Sequence, residues 1–310
     1  MTVSELQLNS LAKALEADQA SFKAFADAIP NFVWLCRDDG SVVFYNRAMC
    51  EYTGIGADAE GSRDVASLIY PDEAPDVAER WHRSISTGSP FEAEFRLRHG
   101  ADQTYRWFLS RAEPVRGANG KIANWVGVST DIDAQKRAVE NLDFVIQSSS
   151  VFNAADSVER VCKQFAQICV HRFADWAFLV VRDPVEHLKV AAFAHRDPAR
   201  VRYIEQFLRQ YPVGDDTAFG SMLSAPEATV IPAVSDQMLR AAAHDDQHLN
   251  LLREMDLYSA IVAPLRYGHE TLGGVIVYSS ESRRRFERAD ADVLTMLAER
   301  AAMRIQTMRA

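Results

Sequence analysis

Phe91-Glu92-Ala93-Glu94-Phe95-Arg96-Leu97-Arg98 alternates without a break. Phe91, Ala93, Phe95 and Leu97 face one way, and Glu92, Glu94, Arg96 and Arg98 face the other. A period of two is the spacing of a β-strand, and a strand with one apolar and one charged face belongs to an antiparallel sheet that is wet on one side. The neighbouring strand continues the pattern, with Tyr105, Trp107 and Leu109 read as its inward row. Upstream, 32–37 and 42–46 flank the turn Asp38-Asp39-Gly40, which reads as a hairpin. Pro71 is expected to open a helix with Asp72 and Glu73 in its first turn, where the macrodipole favours acids, and Gly88 to close it. Gly117-Ala118-Asn119-Gly120 then turns the chain into a last strand over 121–129.

The second half repeats the theme. A helix over 157–173 precedes strands at 176–182 and 187–195, helices at 198–210 and 236–255, and two apolar strands at 258–265 and 272–279. Both halves are therefore expected to be α+β, each an antiparallel sheet with helices around it.

Three long helices divide the sequence. The first, over 4–28, carries Leu8, Leu11, Leu15, Phe22, Phe25 and Ile29 at 3-4 spacing, with Asp18 interrupting the stripe. The second carries Ala138, Leu142, Val145, Ser149 and Phe152, and Asp131 is its natural N-cap. The third, starting near Glu287, carries Leu294, Leu297, Ala301, Ile305 and Met308. Each stripe fits a helix lying on its own domain. Three of them, at the start, middle and end, suggest instead a parallel homodimer with a helical spine.

Composition narrows the function classes. With 48% hydrophobic and 25% charged residues in a chain of 310, the protein folds rather than remaining disordered. No apolar run approaches the ~18 residues of a membrane helix, and no secretory signal is visible, so no membrane partner is expected. A net charge of −9 argues against nucleic acid, and Arg283-Arg284-Arg285 reads as a solvated face. Cys36, Cys50, Cys162 and Cys169 lack any CxxC spacing, which disfavours structural zinc and disulfides and fits a cytoplasmic protein.

In order along the chain stand Val33-Trp34, Asp39-Gly40, Phe44-Tyr45-Asn46, Tyr52-Thr53-Gly54, Ile69-Tyr70-Pro71-Asp72-Glu73, Glu94-Phe95-Arg96-Leu97, Tyr105-Arg106-Trp107, Trp125-Val126-Gly127 and Thr130-Asp131-Ile132. This stretch resembles a PAS domain of the kind found in bacterial sensors, with Tyr70 where the family often has His. Ala194-His195-Arg196-Asp197-Pro198, Leu251-Leu252-Arg253-Glu254, 259–265, Leu272-Gly273-Gly274-Val275 and 286–305 resemble a GAF domain. The resemblance implies an N-terminal helix over 1–24, a five-stranded PAS domain over 25–133, a connecting signalling helix over 134–149 and a GAF domain over 150–307. It further implies the sensory input region of a bacterial two-component histidine kinase, with an output domain or partner protein downstream. A free-standing protein-binding regulator and the input module of a PP2C-type phosphatase are the alternatives.

Catalysis is not expected from these residues. No GxxxxGK[ST] loop or protein-kinase motif set is present. Cys50, Cys162 and Cys169 read as core residues rather than chromophore attachment points, so no covalently bound cofactor is expected. His82 lies too near a helix end for the family's haem ligand, and His244 and His248, taken as i,i+4 on one helix, lack a third metal ligand. Two small-molecule cavities remain. In the first half Trp34, Phe44, Asn46, Trp107 and Trp125 are either the aromatic wall of a ligand cavity or a filled core. In the second half His195 and Arg196 either meet an anionic ligand or pair locally, for instance with Asp197.

Overall fold

A computed structural model describes residues 6–8, 10–11, 19–55, 65–183, 185, 187–214, 217–223 and 225–309. The chain forms two units, 1–139 and 140–310. In the first, β1 (Phe32–Arg37), β2 (Val42–Tyr45), β3 (Phe91–Arg98), β4 (Tyr105–Arg116) and β5 (Ile122–Asp131) form one antiparallel sheet in the order β2-β1-β5-β4-β3. Helices α1 (Gln19–Ala28), α2 (Arg47–Thr53) and α3 (Ala74–Thr87) accompany it. The expected α+β class holds.

Strand β3 alternates buried and accessible residues as its sequence demands. Its partner corrects the sequence reading. Phe91 pairs with Ala112, Ala93 with Ser110 and Phe95 with Phe108, so the inward row of β4 is Phe108, Ser110 and Ala112. Tyr105, Trp107 and Leu109 lie on the opposite face, because residues in register share a face and an odd offset reverses it. Trp107 instead stands beside Arg96, whose guanidinium lies 3.6 Å from the Tyr70 ring centroid and 5.2 Å from that of Trp107. Arg96 also donates to Glu73, which ties the 70–73 turn to the sheet. Helix α3 therefore starts three residues later than expected. Pro75 and Asp76 occupy its first turn, and Gly88 closes it in the left-handed conformation.

Over β1, β2 and β5 the outer face of the sheet is covered from within the unit. Leu8, Leu11, Phe22, Ala26 and Ile29 pack on Val33, Leu35, Phe44, Val126 and Val128. The N-terminal stripe is therefore core rather than dimer seam, with Phe25 exposed and Leu15 outside the described residues. Asn46 fastens this layer. Fully buried, it donates to the carbonyls of Ala26 and Asn31 at 2.9 Å and accepts from the N–H groups of Val33 at 3.0 Å and Met49 at 3.2 Å, capping α2.

Helix α4 (Asp133–Asn153) follows β5 directly. In the second unit β6 (Trp176–Arg182), β7 (Leu188–His195), β8 (Thr229–Ile231), β9 (Ser259–Tyr267) and β10 (Glu270–Ser279) form a second antiparallel sheet in the order β7-β6-β10-β9-β8. Helix α5 (Val158–Arg172) and a long C-terminal helix, Arg288–Arg309, pack on one face. Leu294, Leu297, Ala301 and Ile305 are completely buried there, so the third stripe also serves its own domain. The other face packs against Ile204, Leu223, Met255 and Leu257. The single helix expected over 236–255 is two, Asp236–Ala242 and Asp246–Glu254, because Asp245 caps the second.

Asn46→Ala strands two buried N–H donors and two carbonyls at once. It should lower the stability of the first unit by about 3 kcal/mol. Trp34, Trp81, Trp107 and Trp125 belong to that unit and only Trp176 to the other. A urea titration read by tryptophan fluorescence should therefore show the lower midpoint, and an unchanged one contradicts this role.

Candidate functional site

Between the inner face of the first sheet and α3 lies a cavity of about 500 Å3. Trp34, Val42, Tyr45, Met49, Val77, Trp81, Ile85, Phe91 and Phe95 supply an apolar wall. Trp81 packs edge-on against Trp34, Phe91 and Trp125, with ring centroids 5.2–5.4 Å apart. Gly127 makes room for Trp34, since a Cβ there would lie 2.0 Å from the indole. The lining includes two buried hydroxyls, Ser110 and Ser129, whose oxygens are 2.8 Å apart. Trp34 Nε1–H donates to Ser129 Oγ at 3.3 Å. The exposed residues Asp39, Ser41 and His82 mark the mouth.

The second unit concentrates charge at the end of β7. His195 is buried with its ring centroid 4.0 Å from that of Trp176. The Asp197 N–H donates to His195 Nδ1 at 2.8 Å, which places the proton of the neutral ring on Nε2. That nitrogen stands 3.5 Å from Glu281, which also pairs with Arg200 at 2.9 Å. Arg196 turns away to Asp175 at 3.7 Å. Burial alone raises the Asp175 carboxyl pKa, but hydrogen bonds from Ser280 N–H and from the hydroxyl and N–H of Ser282, with the Arg196 charge, hold it below the ordinary value. A smaller space of about 200 Å3 is lined by Trp176, Arg200, Glu254 and Met255.

A family model for the PAS fold matches residues 42–129, which hold most of the cavity lining, β2 to β4 and most of β5, while Trp34 and the rest of β1 precede them. A GAF domain model matches 157–305. The chain is a PAS domain followed by a GAF domain. Over 129 residues, 42% of this chain and 15% of the relative, it is 30% identical to an uncharacterized protein of Sinorhizobium fredii. Over 121 residues, 39% of this chain and 7% of the relative, it is 32% identical to the peroxide stress-activated histidine kinase mak1 of Schizosaccharomyces pombe. The matched region is thus a small part of the length of both curated relatives. Among solved structures, the GAF domain of a phosphoenolpyruvate-protein phosphotransferase from Coxiella burnetii is similar at 19% identity and a TM-score of 0.44, over 56% of this chain and 96% of that one.

Of the five residues expected at the PAS cavity, Trp34 lines it and Trp125 backs it through Trp81. Phe44 faces the other side of the sheet against Phe22, Asn46 is spent on backbone groups, and Trp107 lies on the outer face beside Arg96. Ser110, Ser129 and Trp81 were not anticipated. The inward parity of β3 carried across its pairing to β4 was the signal for Ser110. In the GAF domain His195 accepts from the Asp197 N–H while its buried Nε2, near Glu281, makes no hydrogen bond among the described residues, and Arg196 pairs with Asp175. His244 precedes the helix cap and stacks with His248 and Tyr211, and no group of three or more metal-ligating side chains occurs among the described residues. His82 is an exposed residue whose Nδ1–H donates to the Ala78 carbonyl at 2.7 Å. Arg283 and Arg284 are paired with Asp256 and Asp290, in keeping with a solvated face. Cys162 and Cys169 are core residues, and burial pushes the Cys162 thiol up to about 12. No described helix is long and apolar enough to cross a membrane.

The connecting helix divides its expected stripe. Val145 and Phe152 are buried in the GAF core, so they cannot form a seam with a second chain. Ala138 and Leu142 are exposed and Ser149 is half-buried. Leu142 and Ile146, at 52% and 63% exposure, are instead the apolar part of a helix face that continues to the polar Ser149 and Asn153. Those two residues border a groove with Arg300, Met303, Arg304 and Thr307 of the C-terminal helix. Asp131 sits one position before the cap and accepts the Asp133 N–H at 2.9 Å. Asp133 itself accepts the Trp107 N–H at 3.3 Å.

Asp175→Asn should destabilise the GAF domain by about 1–2 kcal/mol at neutral pH, the scale of a charged hydrogen-bond acceptor. The folded pKa is depressed, so this contribution is present above the unfolded carboxyl value and is lost as pH falls through the folded one. Thermal melts by circular dichroism should show the gap between wild type and variant closing below about pH 4. A gap independent of pH contradicts the assignment.

Proposed function

We propose that this chain is a signal-sensing and transmitting module: a small molecule occupies the PAS cavity, and the helix leaving β5 carries the response. The observation that supports it is the attachment of that helix. Asp131, Asp133 and the Trp107 N–H form its anchor at the same β4–β5 pair whose Ser110 and Ser129 line the cavity. A change in strand geometry reaches the helix start through two hydrogen bonds.

The module acts as the input half of a two-component sensor histidine kinase in this reading. A kinase among the sequence relatives is consistent with it. Transmission uses a homodimer in which α4 meets its copy through Leu142 and Ile146, a seam one step round the helix from Val145 and Phe152. Exposed apolar side chains at 3-4 spacing are what knobs-into-holes contact between identical helices requires. A carboxylate placed there must be desolvated without a partner.

Light scattering on the purified chain should therefore give a dimer, and Leu142→Glu or Ile146→Glu should raise its dissociation constant by about tenfold or more. Val145→Glu is no substitute, because it disrupts the GAF core. A monomeric wild type, or two variants that dimerise as it does, would overturn the helical seam.

A further inference from the structure

The buried hydroxyls of the PAS cavity fix a feature of its ligand. Ser110 on β4 and Ser129 on β5 are directly paired, 2.8 Å apart, and both line the cavity. Two serines carry two hydroxyl protons, and their mutual hydrogen bond consumes one. The Trp34 indole approaches Ser129 as a donor and takes no proton from the pair. If Ser110 donates to Ser129, the Ser129 proton is left; if Ser129 donates, the Ser110 proton is left. Among the described residues no acceptor receives it. A buried donor without an acceptor costs about 1–3 kcal/mol, which a ligand acceptor would recover.

The remaining walls constrain the rest of the molecule. Among the described residues they are aromatic and aliphatic apart from the Cys36 thiol and the Tyr45 hydroxyl, and no described cation stands among the buried lining residues to neutralise an anion. Asp39, the one acid among the described lining residues, is exposed at the mouth, so among those residues a buried ammonium would also go unpaired. About 500 Å3 bounded by Trp34, Tyr45, Trp81, Phe91 and Phe95 suits a fused-ring molecule of moderate size.

We infer that the PAS cavity takes an uncharged aromatic carbonyl compound whose oxygen accepts the spare hydroxyl proton of the Ser110–Ser129 pair. This inference rests on the reading of that cavity as the sensory site. It specifies a chemical class that the fold alone does not.

Three isosteric probes test it on the full chain by isothermal titration calorimetry: acetylnaphthalene, isopropylnaphthalene and naphthoate, each substituted at the same ring position. Acetylnaphthalene should bind about tenfold more tightly than isopropylnaphthalene, the value of one neutral hydrogen bond, and naphthoate should bind at least as weakly as the hydrocarbon. In Ser110→Ala/Ser129→Ala/Trp34→Phe, which also removes the indole donor that the two serine changes would free, the ketone and the hydrocarbon should bind within about threefold of each other. The wild-type ranking stands as a test even if that variant does not fold. Hydrocarbon binding equal to ketone binding, or naphthoate binding more tightly than either, overturns the ligand class and leaves the cavity as a sensory site. Binding of none of the three overturns both.

Discussion

The pairing of β4 with β5 is the constraint on which the sensory half of the molecule depends. Its register sets Ser110 against Ser129 inside the domain and Phe108 against Asp131 at its edge. One ladder of backbone hydrogen bonds therefore holds the polar part of the cavity lining and the launching point of α4. A slip of one residue would exchange the faces of the strand, bringing Trp107 and Leu109 inward and turning Ser110 outward. Arg96, gripped by Glu73 and stacked on Tyr70, holds the neighbouring strand against such a slip.

Much of the architecture was legible because it follows from periodicity. The unbroken alternation of 91–98 gave the strand, Gly88 and Gly40 gave their stops, and the order of motifs gave two domains. What escaped was parity in β4. The row Tyr105, Trp107 and Leu109 is larger and more aromatic than Phe108, Ser110 and Ala112, so hydrophobicity pointed to the wrong face. The wet face of this sheet carries aromatic rings because Arg96 and Lys136 cover Trp107 by cation–π contact. The cavity needs small residues on the inner face, and a serine there is invisible to a search for apolar rows.

The helical stripes failed for a related reason. A 3-4 spacing specifies an apolar face and says nothing of what lies against it. At the N-terminus it is the back of the PAS sheet, and at the C-terminus the GAF core. In α4 the covered face runs through Val145 and Phe152, which leaves Val139, Leu142, Ile146 and Val151 exposed, and Leu142 and Ile146 stand one turn apart among them. The GAF charges follow the same economy: Asp175 is paired with Arg196 and Glu281 with Arg200.

The central claim is that occupancy of the PAS cavity alters the start of α4, through coupling of the usual size, about 1–3 kcal/mol. Hydrogen–deuterium exchange of the full chain, with and without saturating acetylnaphthalene, tests it at the amides of residues 131–137. The account predicts a change in their exchange that accompanies protection of the β4 and β5 amides around Ser110 and Ser129. Protection of those strands with no change at the first turn of the helix would contradict it.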